Sequence, residues 1–161
     1  MTTLISASSS SNAIVPSEIQ GSVSKRKLHF FFLVDDSGSM QQDAKIQKVN
    51  FAIRQVIPEL RRIEETERVS IYMRAIRFGD NAEWYLSADP TPVSEFDWQD
   101  LSAMGGLTST AKALDLLSSE LDIEKLGRKN VPPVAILLSD GHSTDGEGAY
   151  LSAIDKLNKL P

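Results

Sequence analysis

The chain has 161 residues, 41% of them hydrophobic and 24% charged, with a net charge of −5. That size and balance predict one domain with a real core, and they argue against a general nucleic-acid binder, which needs a basic face. With no cysteines and only two histidines, His29 and His142, disulfides, thiolate catalysis and cysteine zinc sites are excluded, and a histidine-rich metal site is not expected.

No apolar run is long enough to span a membrane, and the first ten residues lack the basic and apolar regions of a signal peptide. A cytoplasmic location is the expectation. Residues 1–24 are rich in serine and bury too little apolar surface to offset ordering, so they read as a disordered arm. The domain proper is expected over 25–161.

Leu28 to Val34 is nearly all apolar, as in a strand of a parallel sheet covered on both faces. His29, at its start, reads as a packed or edge histidine. Asp35-Asp36-Ser37-Gly38-Ser39 breaks the strand. From Gln41 a helical period follows through Ile46, Val49, Ile53, Val56, Ile57, Leu60 and Ile63, with Pro58 expected to kink or split it.

Val69, Ile71 and Met73 alternate as a strand that continues to Phe78; Gly79-Asp80-Asn81 reads as a turn and Trp84-Tyr85-Leu86 as a returning strand. Residues 87–98 read as a polar loop. Beyond Gly105-Gly106 a helix carries Ala113, Leu114, Leu117 and Leu121 on one side. Val134–Leu138 reads as a second fully buried strand, and a last helix is expected over about 147–160. The order β-α-β-β-α-β-α predicts an α/β layered domain with a mostly parallel sheet flanked by helices and one antiparallel edge strand.

Asp35, Ser37 and Ser39 follow the first buried strand, Asp140 follows the second, and Thr108 follows the glycine pair. Ligands of open α/β sheets bind at the carboxyl ends of the strands, so these loops are expected to converge. Carboxylates and hydroxyls are hard oxygen donors that suit Mg²⁺ or Ca²⁺, not soft metals. Ser37 and Ser39 are two apart, so in an extended turn their hydroxyls point the same way, while Asp36 points elsewhere. Taken singly, these residues have blander readings: Ser39 with Gln42 as a capping box, Thr108 as a helix cap, Asp140-Gly141 as a turn.

Val34-Asp35-Asp36-Ser37-Gly38-Ser39-Met40 resembles the D-x-S-G-S-M signature of von Willebrand factor A domains. Gly105 to Thr110 resembles the glycine-threonine loop of that family, and Ile136 to Gly141 the strand that delivers its last aspartate. The resemblance covers roughly residues 27–160 and implies a Rossmann-like fold with a metal-ion-dependent adhesion site. It implies that Ser37 and Ser39 bind Mg²⁺ directly (Mn²⁺ or Ca²⁺ as substitutes), Thr108 directly or through water, and Asp35 and Asp140 largely through water or as supporting partners.

Leu137 to Asp145 is most similar to bacterial proteins of the tellurite-resistance Y type. That likeness implies a scaffold or regulator in a stress-response or defence system, with a phosphatase or kinase among its partners. Ser143 departs from that type, which often has proline there, and Leu107 and Ala111 replace glycines often seen around the threonine. Family members continue into a further strand and helix, so a C-terminally shortened domain, or an edge completed by another chain, is expected.

The resulting expectation is a non-enzymatic module that grips an Asp or Glu carboxylate of a partner protein through its metal ion. Two enzymatic readings compete. In a Mg²⁺-dependent phosphatase Asp35 would be the nucleophile, but Ser37 stands where that chemistry wants a second aspartate. A serine hydrolase would need a G-x-S-x-G elbow, which is missing. A third reading makes the site vestigial. His142 and Asp145, just past it, are expected to lie in a solvated loop or to shape the choice of partner.

Overall fold

The computed structural model describes residues 25–141 and 143–160. The serine-rich segment 1–24, expected as a disordered arm, and His142 lie outside the described residues.

Strand β1 (Arg26–Asp35) is followed by a 3-10 segment, Gly38–Ala44, and helix α1 (Lys45–Thr66). Next come β2 (Val69–Phe78), β3 (Ala82–Tyr85) and the two-residue β4 (Thr91–Pro92). Helices α2 (Thr110–Ser118) and α3 (Ile123–Leu126), strand β5 (Val134–Leu138) and helix α4 (Glu147–Asn158) complete the domain. The sheet runs β3-β2-β1-β5; β1 pairs in parallel with both β2 and β5, while β3 and β4 pair antiparallel with β2. The mostly parallel α/β sheet is therefore as expected, with β4 and α3 additional to the expected order.

Alternation along β1 divides the core into two layers. Phe30, Phe32 and Val34 face α1 through Ile46, Ile53, Ile57 and Leu60. Phe31 and Leu33 face α2 and α4 through Ala113, Leu114, Leu117 and Ala153. The second layer also holds the buried Arg74 of β2. Its guanidinium lies over the Phe31 ring and pairs with Glu120 at 2.9 Å.

Four expectations are corrected. Pro58 neither splits nor ends α1: it lies on the exposed face, and the buried Ile57 and Leu60 on either side anchor the helix through the missing hydrogen bond. Helix α1 starts at Lys45, not Gln41, because Gln42 is extended and Asp43 and Ala44 have φ of 53° and 54°. The stretch 87–98 is not a polar loop. Val93, Phe96, Trp98 and Leu101 are buried against α1, and Asn50 of α1 fastens them, accepting from Trp98 Nε1 and Leu101 N and donating to Leu101 O.

The fourth correction concerns β5. Val134–Leu138 is not fully buried: Val134 is 38% and Leu137 44% exposed. The strand has β1 on one side and, among the described residues, no strand on the other. A continuous apolar run signals contact on both faces, but an edge position opens it to solvent.

Candidate functional site

The chain leaves β1 toward β2 on one side and later places β5 on the other, so the strand order reverses beside β1. Clefts at such reversals, at the carboxyl ends of the strands, are where open α/β sheets bind ligands. Asp35 ends β1, and Ser139 and Asp140 follow β5.

The Asp35 carboxylate is buried and accepts from Ser37 N at 2.9 Å and from Ser139 Oγ at 2.6 Å. It thereby ties the ends of the two strands together. The Ser37 and Ser39 hydroxyls lie 3.2 Å apart, as the spacing predicts, and Ser39 Oγ donates to Asp140 Oδ1 at 2.8 Å. Asp140 also pairs with the Lys45 ammonium. Hydrogen bonding to Lys45 holds the Asp140 carboxyl below the usual range, against the desolvation that pushes it up.

The chain does bend at Asp140-Gly141, but the capping readings do not describe Ser39 or Thr108. Neither Ser37, at the N-cap of the 3-10 segment, nor Ala44, at that of α1, makes a side-chain cap, so no capping box forms. Ser39 turns to Asp140 instead. Thr108 does not cap α2, whose N-cap is Ser109.

Thr108 is buried, and its loop closes on the others: a Cβ on Gly38 would lie 3.4 Å from Gly105 Cα. Among the described residues no hydrogen bond joins the Thr108 hydroxyl to Asp35, Ser37, Ser39 or Asp140. Its backbone is clamped by the segment after Asp140: Thr108 N donates to Thr144 Oγ1 and Thr144 N to Thr108 O, both at 2.9 Å. Asp145 is not in a solvated loop. Half-buried, it accepts from Ala111 N at 2.6 Å, in the first turn of α2, and from Ser143 Oγ at 2.5 Å.

Ser139, Lys45, Thr144 and Asp145 are thus supporting residues that the sequence reading missed or placed in solvent. Their signal was weak: each acts across loops far apart in the chain, and only the position of Ser139 directly after a strand pointed toward the site.

Asp36 points away from this cluster, as expected, into a pocket on the other side of the loop. Burial raises its carboxyl above the usual range, an effect opposed by Arg77. Among the described residues no group of three or more His, Asp or Glu side chains converges to hold a metal ion. A cation at the strand ends would be held by hydroxyls as much as by carboxylates. The donor set Asp35, Ser37, Ser39, Thr108 and Asp140 is all oxygen, which fits a hard ion such as Mg²⁺.

A mostly parallel sheet covered by helices, with polar loops gathered where its strand order reverses, defines an α/β domain of the Rossmann-like class. The von Willebrand factor type A domain model matches residues 30–160, and the chain belongs to that family. Among solved structures it is similar to a von Willebrand factor type A protein from Catenulispora acidiphila, with TM-score 0.61, 19% identity, and coverage of 81% of this chain and 30% of that one. It is also similar to proximal thread matrix protein 1 from the mussel byssus, with TM-score 0.56, 18% identity, and coverage of 83% and 35%. For the ArnB paralog VWA2 from Sulfolobus acidocaldarius the values are 0.51, 18%, 74% and 28%. The chain spans about a third of the length of these structures, and at such identity the likeness carries the fold alone. No curated protein matches the chain. Among the described residues no helix is long and apolar enough to cross a membrane.

Proposed function

We propose that this domain is a non-enzymatic, metal-dependent protein-binding module. Asp35, Ser37, Ser39, Thr108 and Asp140 would hold one Mg²⁺, with Mn²⁺ or Ca²⁺ as substitutes, and the ion would take an Asp or Glu carboxylate of a partner protein. What the ion supplies is a concentrated positive charge with an open coordination position. The protein's part is to aim the hydroxyls, keep Asp35 fixed beneath them, and set the loop of Thr108 alongside.

The observation that carries this reading is the chain of contacts Ser37–Ser39–Asp140, in which hydroxyls suited to capping a helix are turned to an aspartate from another loop. The phosphatase alternative is disfavoured by Asp35 itself. Its carboxylate is buried, and Ser37 stands where that chemistry wants a second, proton-shuttling aspartate. A role as scaffold or regulator in a bacterial stress-response or defence system, beside a phosphatase or kinase, rests on the resemblance of Leu137–Asp145 to tellurite-resistance Y proteins. Family membership supports protein binding in general.

Thermal unfolding of the wild type and of Ser39→Ala, with Mg²⁺, Mn²⁺, Ca²⁺ or chelator, tests the metal. An ion bound only to the folded state at 100 times its Kd adds about 2.7 kcal/mol. The wild type is expected to shift and Ser39→Ala to shift much less. Ser39 is the residue to change because Asp35→Ala also strips Ser37 N and Ser139 of their acceptor, and so confounds metal loss with unfolding. Equal responses of the two proteins to every ion would remove the metal from the reading.

A further inference from the structure

We propose that the pocket on the far side of the Asp35–Ser39 loop is a binding site for the basic side chain, Arg or Lys, of a partner protein. Asp36, Gly79, Asp80 and Glu83 line it together with Met104 and Gly106, and its volume is about 270 Å³.

The central observation is Asp36. It is 5% exposed, what remains open of it lies on the pocket, and its charged partner among the described residues is a distant one. The nearest cation is Arg77, whose Nε lies 4.0 Å away. That guanidinium is already engaged, since its Nε and Nη2 both donate to Glu83. A carboxylate this enclosed gains from a close cationic partner, and the open direction is the pocket. Asp80 is better served, accepting from Leu107 N at 2.7 Å, while Lys112 lies on its carbonyl at 2.6 Å.

Two glycines keep the carboxylates uncovered. A Cβ at Gly79 would lie 2.8 Å from Asp36 Oδ1, and one at Gly106 would lie 2.5 Å from Asp80 Oδ2. Any larger residue at either place would fill the space in front of an acid.

Charge and shape then choose the occupant. Asp36, Asp80 and Glu83 outnumber the single Arg77 among the lining residues, so the pocket favours a cation. These carboxylates do not converge as a metal site does. The space is that of a side-chain head, not of an ion. Met104, 70% exposed on the rim, offers an apolar surface to the aliphatic stem of an Arg or Lys whose charged end reaches inward. A guanidinium or ammonium would give Asp36 close charge-assisted hydrogen bonds.

Asp36 directly precedes Ser37, so one loop serves both places. A partner carrying an acidic and a basic side chain close together would engage both. That joint use rests on the metal reading, whereas the cation pocket stands without it.

The probe is Nα-acetyl-arginine methylamide, with the citrulline analogue as its uncharged isostere, added to the ¹⁵N-labelled full chain. Arginine is expected to shift the amide resonances of Gly79, Gly105 and Gly106, and citrulline to leave them in place. Asp36→Asn should weaken the binding about tenfold, the loss of one charge-assisted contact. Met104→Ala, an exposed change with no folding risk, should weaken it less. Ser39→Ala should leave arginine binding intact, with or without Mg²⁺. Arginine binding with no Mg²⁺ response anywhere would support the pocket while removing the metal. Identical shifts from arginine and citrulline, shifts mapping elsewhere, or displacement of arginine by Mg²⁺ alone would overturn the proposal.

Discussion

Strands β1 and β5 are parallel neighbours, both are short runs of apolar residues, and both lead directly into the site. Yet Phe31, Phe32, Leu33 and Val34 are sealed from solvent, while Val134 and Leu137 are more than a third exposed. The difference lies in neighbours. β1 has a strand on each edge and a helical layer on each face, whereas β5 has, among the described residues, one strand beside it. The site inherits this asymmetry: Asp35 is delivered by the most constrained strand of the domain and Asp140 by the most open one. Under the proposed function, this pairing joins an enclosed ligand group on β1 to a more open one after β5.

The contrast can be broken from the β1 side. Phe31→Ala removes a fully buried ring that packs against Trp84 and lies under Arg74, and is expected to cost about 3–5 kcal/mol in urea unfolding. A loss below about 1 kcal/mol would mean that β1 is less constrained than its burial implies. The tie between the strands comes next. Ser139→Ala leaves one oxygen of the buried Asp35 without its donor and should cost about 1–3 kcal/mol. Leu137→Ala on β5 removes a side chain that is already 44% exposed, so about 1 kcal/mol is the expected loss by the same measurement. A loss as large as that of Phe31→Ala would show that something covers β5 in solution.

Local patterns made much of this legible. The apolar run of β1, the alternation of β2, the turn at Gly79–Asn81 and the spacing of Ser37 and Ser39 depend on near neighbours in the chain, and the structure follows them. What was not legible depends on distant partners. Val93, Phe96 and Trp98 stand among prolines and acids, and only the docking of α1 through Asn50 makes them core. Pro58 is tolerated because its side of α1 faces solvent, which periodicity near a proline does not reveal. Asp145 reads as a loop residue until the first turn of α2 is brought to it. Asp36 turns away from Ser37, as its spacing predicts, but the pocket it faces is formed by residues from two other stretches of the chain, 77–83 and 104–106.

The smallest effect concerns the amino end of β1, farthest from the site. His29 is 8% exposed and stacks on Tyr72 at 5.7 Å. Its imidazole is held below the ordinary 6.5, first by burial and then by Arg74 and Lys27, the two cations that face it. The folded state therefore resists the proton that the unfolded state accepts at about 6.5. Between the two values the unfolded chain binds more protons, so stability is fully present above pH 6.5 and falls as pH drops through the folded value. Asp36, whose carboxyl is raised, contributes in the opposite sense, losing stability as pH rises, and does so equally in any variant at position 29. Urea midpoints for wild type and His29→Gln at pH 7.5 and 5.5 separate the two. The wild type is expected to lose more on acidification than the variant, and equal losses would mean that the amino end of β1 opens enough for His29 to titrate as it does in water. In that case the constraint on β1 would reside in its carboxyl half alone, where Leu33, Val34 and Asp35 lead into the site.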